Sequence, residues 1–271
     1  MGIFYEKQLE EDSISEGSKT LSLREIYSTD FDLPKYPVQQ TLMERLKPLL
    51  DRREKGSDLL QRISAIKDRI LSSNYSVFQA KDVPIWDVLD CLSGNSGLTE
   101  EYLYSQLQAV AERKYRILTA STDPAIKYTH RCKHPKDSVK LIAVTEGKPV
   151  IQIIRIGKAG SVTFFDKGNY TITENAYLLF LKDNLKYALD LKWVMYALIP
   201  QFNEYANVAE YGTWNKTGFF RNARIDIPSY TEQVEVAKAY GHLEELEKKI
   251  RNYNAKIEDL FAKQVVSISN P

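Results

Sequence analysis

Three residues near the middle of the chain invite a chemical reading first. His130, Cys132 and His134 alternate, so on a strand they would face one way, and His-x-Cys-x-His is a spacing that can hold zinc. The set lacks further ligands, because the only other cysteine, Cys91, is distant in sequence. Surface imidazoles beside a buried thiol are the plainer reading, and no metal is expected. Only His242 lies outside this group, on a segment expected to face solvent, and no nucleophile–base–orienter set is readable. Other segments offer contact chemistry. Arg155, Gly157, Lys158 and Gly160 form a glycine-flanked basic turn in which Arg155 or Lys158 suits a phosphate or a guanine edge; a hairpin turn with solvated charges is the alternative. Residues 211–221 mix hydroxyl, amide, cation and aromatic groups, with Thr213, Trp214, Asn215, Lys216 and Thr217 at their centre. There Asn215 suits adenine and Lys216 a phosphate or guanine, against the alternative of a loop anchored by its apolar residues. Residues 118–123 are a small polar stretch in which Thr119 and Ser121 could donate, although such stretches are commonly plain loops.

Something must hold these segments, and an internal repeat supplies the frame. Residues 31–39 and 225–233 share the pattern apolar, Asp, apolar, Pro, any, Tyr, any, any, Gln, with Asp32, Pro34, Tyr36 and Gln39 matching Asp226, Pro228, Tyr230 and Gln233. A long helical pattern follows each copy. Leu243, Leu246, Ile250, Tyr253, Ile257 and Leu260 are spaced 3, 4, 3, 4, 3, which is a heptad seam. After the first copy come Leu42, Leu46, Leu49, Leu59, Ile63, Ile66 and Ile70. With the prolines aligned, Leu49, Leu59, Ile63 and Ile66 fall on Leu243, Tyr253, Ile257 and Leu260. Gly56-Ser57-Asp58 interrupts the first seam and suggests a kink or a new cap. A helix with one apolar seam needs a partner: the other copy, packed antiparallel, or the helices of a second chain.

Between the arms the texture changes to β-branched and aromatic runs at 141–144, 150–154, 161–165 and 170–173. Helices are expected from Thr99 to about Arg113 and from Asn184 to about Phe202. The expected fold is α+β, one mixed domain flanked by two long helices forming an antiparallel coiled coil. The boundaries are an N-terminal segment 1–36, a first arm 37–73, the central domain 74–228 and a second arm 229–271. The 271 residues carry a net charge of +1 with 17 tyrosines. Such a balance is low for a dedicated nucleic-acid binder, and leaves part of any phosphate contact to a partner. Two cysteines imply no disulfide framework. No apolar run has the length of a membrane span, and the N-terminus lacks a signal-peptide layout, so a cytoplasmic protein is expected.

The order of several motifs resembles a known family. Trp86-Asp87-Val88-Leu89-Asp90 followed by Gly94-Asn95-Ser96-Gly97-Leu98-Thr99-Glu100-Glu101-Tyr102 looks like the opening of a target-recognition domain of a Type I restriction–modification specificity (S) subunit. Gly157-Lys158-Ala159-Gly160 and Gly168-Asn169-Tyr170-Thr171-Ile172-Thr173 are similar to that family's central turn and the strand after it. Asp226-Ile227-Pro228-Ser229-Tyr230-Thr231-Glu232-Gln233 looks like its exit into a helical arm. The resemblance covers roughly residues 30–268. It differs in having both arms and one recognition domain where the family usually has two, and so resembles a half-size S subunit. The resemblance implies a non-catalytic subunit without cofactor. Its partners would be double-stranded DNA, DNA adenine methyltransferase (modification) subunits that carry the methyl donor, restriction subunits as a further class, and a second copy of itself. Loops 155–160 and 211–221 would then enter the major groove, with the arms as ruler and docking surface. No Asn/Asp-Pro-Pro-Tyr/Phe motif and no Gly-x-x-x-x-Gly-Lys-Ser/Thr loop occurs. The competing reading is a coiled-coil scaffold whose α+β domain binds protein.

Overall fold

The computed structural model describes residues 36–71, 75–106, 112, 114–121, 126–206 and 212–269. Helix α1 (Tyr36–Leu71) is followed by strand β1 (Phe78–Pro84), the single-turn α2 (Ile85–Val88) and β2 (Leu89–Ser93). Thr99 caps α3 (Glu100–Ser105), its side chain accepting from the Tyr102 N–H. Then come β3 (Tyr115–Leu118), β4 (Tyr128–Thr129), β5 (Lys133–His134) and β6 (Asp137–Leu141). Two eleven-residue strands follow, β7 (Val144–Ile154) and β8 (Val162–Ile172), and then β9 (Ala176–Leu181). Helices α4 (Leu191–Ala197), α5 (Ile199–Glu204) and α6 (Lys216–Asn222) lead to β10 (Arg224–Pro228) and the forty-residue α7 (Tyr230–Ser269).

The α+β class is as expected, with local differences that have physical causes. The helix expected from Asn184 begins only at Leu191. Asn184 has φ 61°, a left-handed conformation outside any helix, and the Asp190 side chain accepts from the Trp193 N–H to start α4. The same pattern then breaks at Leu198 into a second short helix whose first turn holds Pro200. The helix from Thr99 is described only to Ser105, and most of the rest of its expected span, residues 107–111 and 113, lies outside the described residues. The runs at 161–165 and 170–173 are one strand, β8, which continues through Gly168.

Among the described residues, Lys67–His242 form one compact unit. Its main sheet has the order β2-β9-β7-β8-β3-β4, antiparallel except where β3 runs parallel to β8. Strands β1 and β10 form a separate antiparallel pair, as do β5 and β6. Period-two alternation gives the sheet two faces. On one, Ile151, Ile153 and Leu179 pack against Trp193, Val194, Tyr196, Phe202 and Phe219 from the helices. On the other, Val150, Tyr170, Ile172 and Leu178 form a smaller cluster, with a cleft beside it.

The second unit holds α1 up to Ile66 and α7 from Leu243. Arg53 pairs with Glu258 at 3.3 Å, Gly56 abuts Asn254, and Leu49 and Leu50 share a pocket of about 390 Å³ with Ile257 and Phe261. Residue numbers fall in one helix as they rise in the other, so the pair is antiparallel. Helix α1 is unbroken through Gly56-Ser57-Asp58, so no new cap forms there. A Cβ at Gly56 would lie 2.2 Å from Asn254 Oδ1, so the glycine admits the close approach of the amide. The inner face is rotated from the expected seam. Leu46, Ile63 and Ile257 are buried, and Leu49, Leu243 and Ile250 are half-buried. Leu59, Ile66, Leu246, Tyr253 and Leu260 are instead 44–49% exposed. The reason is that Glu247, Asn254 and Phe261, one position on from the expected seam residues, take the inner place on α7. In an antiparallel pair the displaced residues of both helices fall on the same flank, and they form an apolar stripe there.

Candidate nucleic-acid interface

The sheet face that bears Val150 and Tyr170 carries a cleft of about 1060 Å³. Its floor comes from strand positions that alternate with the core: Gln152 on β7, Thr163 and Phe165 on β8, and Arg116 on β3. Tyr128 on β4, 49% exposed, stands at one side. The Gly157-Lys158 turn between β7 and β8 also lines it. Gln152 is buried, and its Nε2 donates to the Thr119 carbonyl at 2.8 Å, which ties the polar stretch after β3 into the cleft. The Arg116 guanidinium lies over the Phe165 ring, 5.0 Å from its centroid, a cation on an aromatic face. Hydroxyls, an anchored amide, exposed cations and an aromatic surface thus share one concave face, the mixture that contact with phosphates and base edges uses.

Of the residues singled out from sequence, Thr119, Ser121, Gly157 and Lys158 line this one cleft. Gly157 has φ +87° with open space around it, so its role is conformational. Gly160, φ +81°, is buried: a Cβ there would meet Phe202 O at 2.9 Å and Ala206 Cβ at 2.7 Å, so it lets the turn close on the end of α5. Arg155 donates its N–H to Asn175 O, and its charge acts on Glu174 and Tyr177 at the β9 side.

The segment 213–217 is placed differently, and Tyr211 before it lies outside the described residues, as do Thr122 and Asp123. Trp214 is 3% exposed, packs at a tilt against Phe202 and Phe219, and donates Nε1–H to Phe202 O. Asn215 caps α6, its Oδ1 accepting from the Gly218 N–H at 2.9 Å. Thr213 is half-buried. Lys216 donates to Ser93 Oγ at 3.0 Å and lies over the Tyr177 ring. Lys216 and Thr217 border a second pocket of about 650 Å³ with Trp86, Cys91 and Arg221. Burial pushes the Cys91 thiol up to about 11, with Lys216 opposing, so it stays a thiol at neutral pH.

Arg116, Tyr128, Gln152 and Phe165 were not singled out from sequence. The signal for Gln152 and Phe165 is the alternation on β7 and β8, which the short apolar runs concealed, whereas Arg116 and Tyr128 sit on the short strands β3 and β4, which carry too few residues to show a period. Cys132 is buried among Leu98, Leu103 and Ile142, and burial raises its thiol. His134 Nδ1 accepts from the Lys136 N–H. Among the described residues no group of three His, Cys, Asp or Glu is placed to hold a metal.

No protein-family model and no curated protein matches the chain. Solved structures do. The S subunit of a Type I restriction–modification system from M. genitalium aligns over 86% of this chain and 61% of its own, with 12% identity and a TM-score of 0.52. The HsdS subunit of Thermoanaerobacter tengcongensis aligns over 98% and 67%, with 14% identity and a TM-score of 0.50. A chain from a study of complex assembly and conformational transition in the type I R-M system aligns over 98% and 67%, with 15% identity and a TM-score of 0.52. The chain has the fold of a Type I S subunit. It spans about three fifths to two thirds of the length of these S-subunit neighbours. Within this S-subunit fold, the motif Gly94-Asn95-Ser96-Gly97 has a structural part. Asn95 is buried, accepts from the Ala143 N–H and donates to Thr171 Oγ1 and Ile172 O, tying the loop to the sheet.

Proposed function

We propose that the chain is a DNA sequence-recognition subunit of a Type I-like restriction–modification complex, doing no chemistry itself and holding no cofactor. Its recognition lobe, residues 74–228, binds duplex DNA and directs adenine methyltransferase subunits, which carry the methyl donor, to a target site. Restriction subunits are a further partner class, and a second copy supplies a second half-site in inverted orientation. The observation that carries this reading is the meeting of two separated segments, 119–121 and 157–158, in one cleft on an S-subunit fold. Among the described residues no helix is long and apolar enough to cross a membrane, and the reading places the protein in the cytoplasm. The arm residues Leu59, Ile66, Leu246, Tyr253 and Leu260 fit a docking surface, since solvent-facing apolar stripes of this kind mark assembly contacts.

That stripe and the net charge of +1 equally favour a scaffold whose lobe binds protein. A gel shift of the full chain on duplex DNA, alone and with modification subunits, separates the two. Retarded DNA supports recognition. Capture of the subunits without DNA binding in either condition supports the scaffold.

A further inference from the structure

The β5–β6 ribbon stands outside the cleft and forms its own two-stranded sheet, with Lys133 opposite Leu141 and His134 opposite Asp137. Its base is fixed. Tyr102 OH donates to Lys133 O at 2.8 Å, Ile142 N donates to Cys132 O, and Cys132 and Ile142 pack with Leu98 and Leu103. Beyond the base the ribbon is bare, with Val139 90% and Leu141 49% exposed.

Charge concentrates here. Residues 127–140 contain Lys127, Arg131, Lys133, Lys136 and Lys140 against Asp137 alone, a net +4, so the remainder of a chain of net +1 carries −3. The acids facing the ribbon do not cancel this excess. Asp137 pairs with Lys140 at 3.1 Å, Glu146 acts on Arg131, and Glu174 acts on Lys136, which donates to Ser96 Oγ. Lys133 is only four positions beyond Thr129 at the end of β4, so the ribbon starts within about 14 Å of the strand whose Tyr128 borders the cleft. A major groove admits a two-stranded ribbon, and a bare methyl-bearing side chain there meets the thymine methyl.

We infer that the β5–β6 ribbon is a second duplex-DNA contact, lying in the major groove beside the bases that the cleft addresses. Arg131, Lys133 and Lys140 take phosphates and Val139 packs on a thymine methyl. This rests on the reading of the chain as a DNA binder.

The test titrates salt against the affinity of the full chain for a labelled random-sequence duplex. Replacing Arg131, Lys133 and Lys140 by alanine together lowers the log–log salt slope by about 2.7, at about 0.9 per phosphate. The charge-keeping variant R131K/K133R/K140R retains the slope. Val139→Ala lowers the preference for a dA·dT duplex over a dA·dU duplex, which lacks the methyl. A wild-type slope in the alanine variant, or loss of slope in the charge-keeping one, overturns the ribbon contact and leaves the recognition reading standing. Absence of duplex binding by the wild-type chain at every salt concentration overturns both.

Discussion

At the scale of single residues, the cleft separates two kinds of contact that one side chain each can report. Lys158 is an exposed cation at the tip of a turn. Lys158→Ala is expected to weaken binding to unrelated duplexes equally and to reduce the salt slope by about 0.9, as read by titrating two sequences in parallel. Gln152 is buried and uncharged, and its bond to the Thr119 carbonyl fixes the loop that presents Thr119 and Ser121. Gln152→Leu is therefore expected to change sequence preference while leaving the salt slope as it was, since no charge is lost. Asn215 offers a sharper contrast between sequence and structure. Its residue type suggests adenine, yet its oxygen is engaged in capping α6. Asn215→Ala is expected to cost about 1 kcal/mol of stability in denaturant unfolding, and Asn215→Ser, which keeps a capping oxygen, to restore it. A stable Ser variant with relaxed base preference would return Asn215 to the reading surface. Residue type and glycine flanks made Lys158 and Gly157 legible in advance. Trp214 and Asn215 were not, because a loop rich in polar and aromatic groups looks the same whether it faces a ligand or builds a core.

At the scale of elements, the junction of β10 and α7 is the best-specified piece of the chain. Ser229-Tyr230-Thr231-Glu232 is a capping box: Ser229 N–H and Oγ–H donate to Glu232 Oε2, and the Glu232 N–H donates back to Ser229 Oγ. Ser76 adds its N–H and hydroxyl to Glu232 Oε1. The Ser76 and Ser229 hydroxyls, with the backbone donors, hold the Glu232 carboxyl down at about 2, against an ordinary value of 4.5. A depressed folded value means stability that is present above the ordinary one and is lost as pH falls toward the folded one. Glu232→Gln is thus expected to flatten the loss of stability between about pH 4.5 and 2, measured by urea unfolding across that range. This junction was readable from its Ile-Pro and Glu-Gln residues. Its counterpart at Phe31–Lys35 lies outside the described residues. Strand type was also readable, while strand length was not, because the runs at 161–165 and 170–173, separated in sequence by Asp166-Lys167-Gly168-Asn169, belong to the single strand β8.

At the scale of the whole molecule, the long helix in each repeat was the most legible feature, while the rotation of the inner face and the unbroken run through Gly56 escaped. Residues 31–35 of the first copy lie outside the described residues. Heptad spacing gives a period, and a shift from Leu246, Tyr253 and Leu260 to their next neighbours keeps that period unchanged. The displaced Leu59 and Ile66 are repeat-equivalent to Tyr253 and Leu260, so the exposed stripe carries the same internal symmetry as the helix pair. Replacing Leu246, Tyr253 and Leu260 by serine is expected to leave the monomer folded by circular dichroism. The same variant is expected to lose assembly with itself or with modification subunits in light scattering. Unchanged assembly would remove the stripe from any interface. The notch at Gly56 constrains how such assemblies form. A buried amide fits only opposite a residue without a side chain, and sliding α7 by one heptad would press Asn254 against Ile63 or Leu49. Trading one arm for the same arm of another copy recreates the notch intact, whereas any slipped pairing strands an amide against methyl groups, so the pair measures its own alignment.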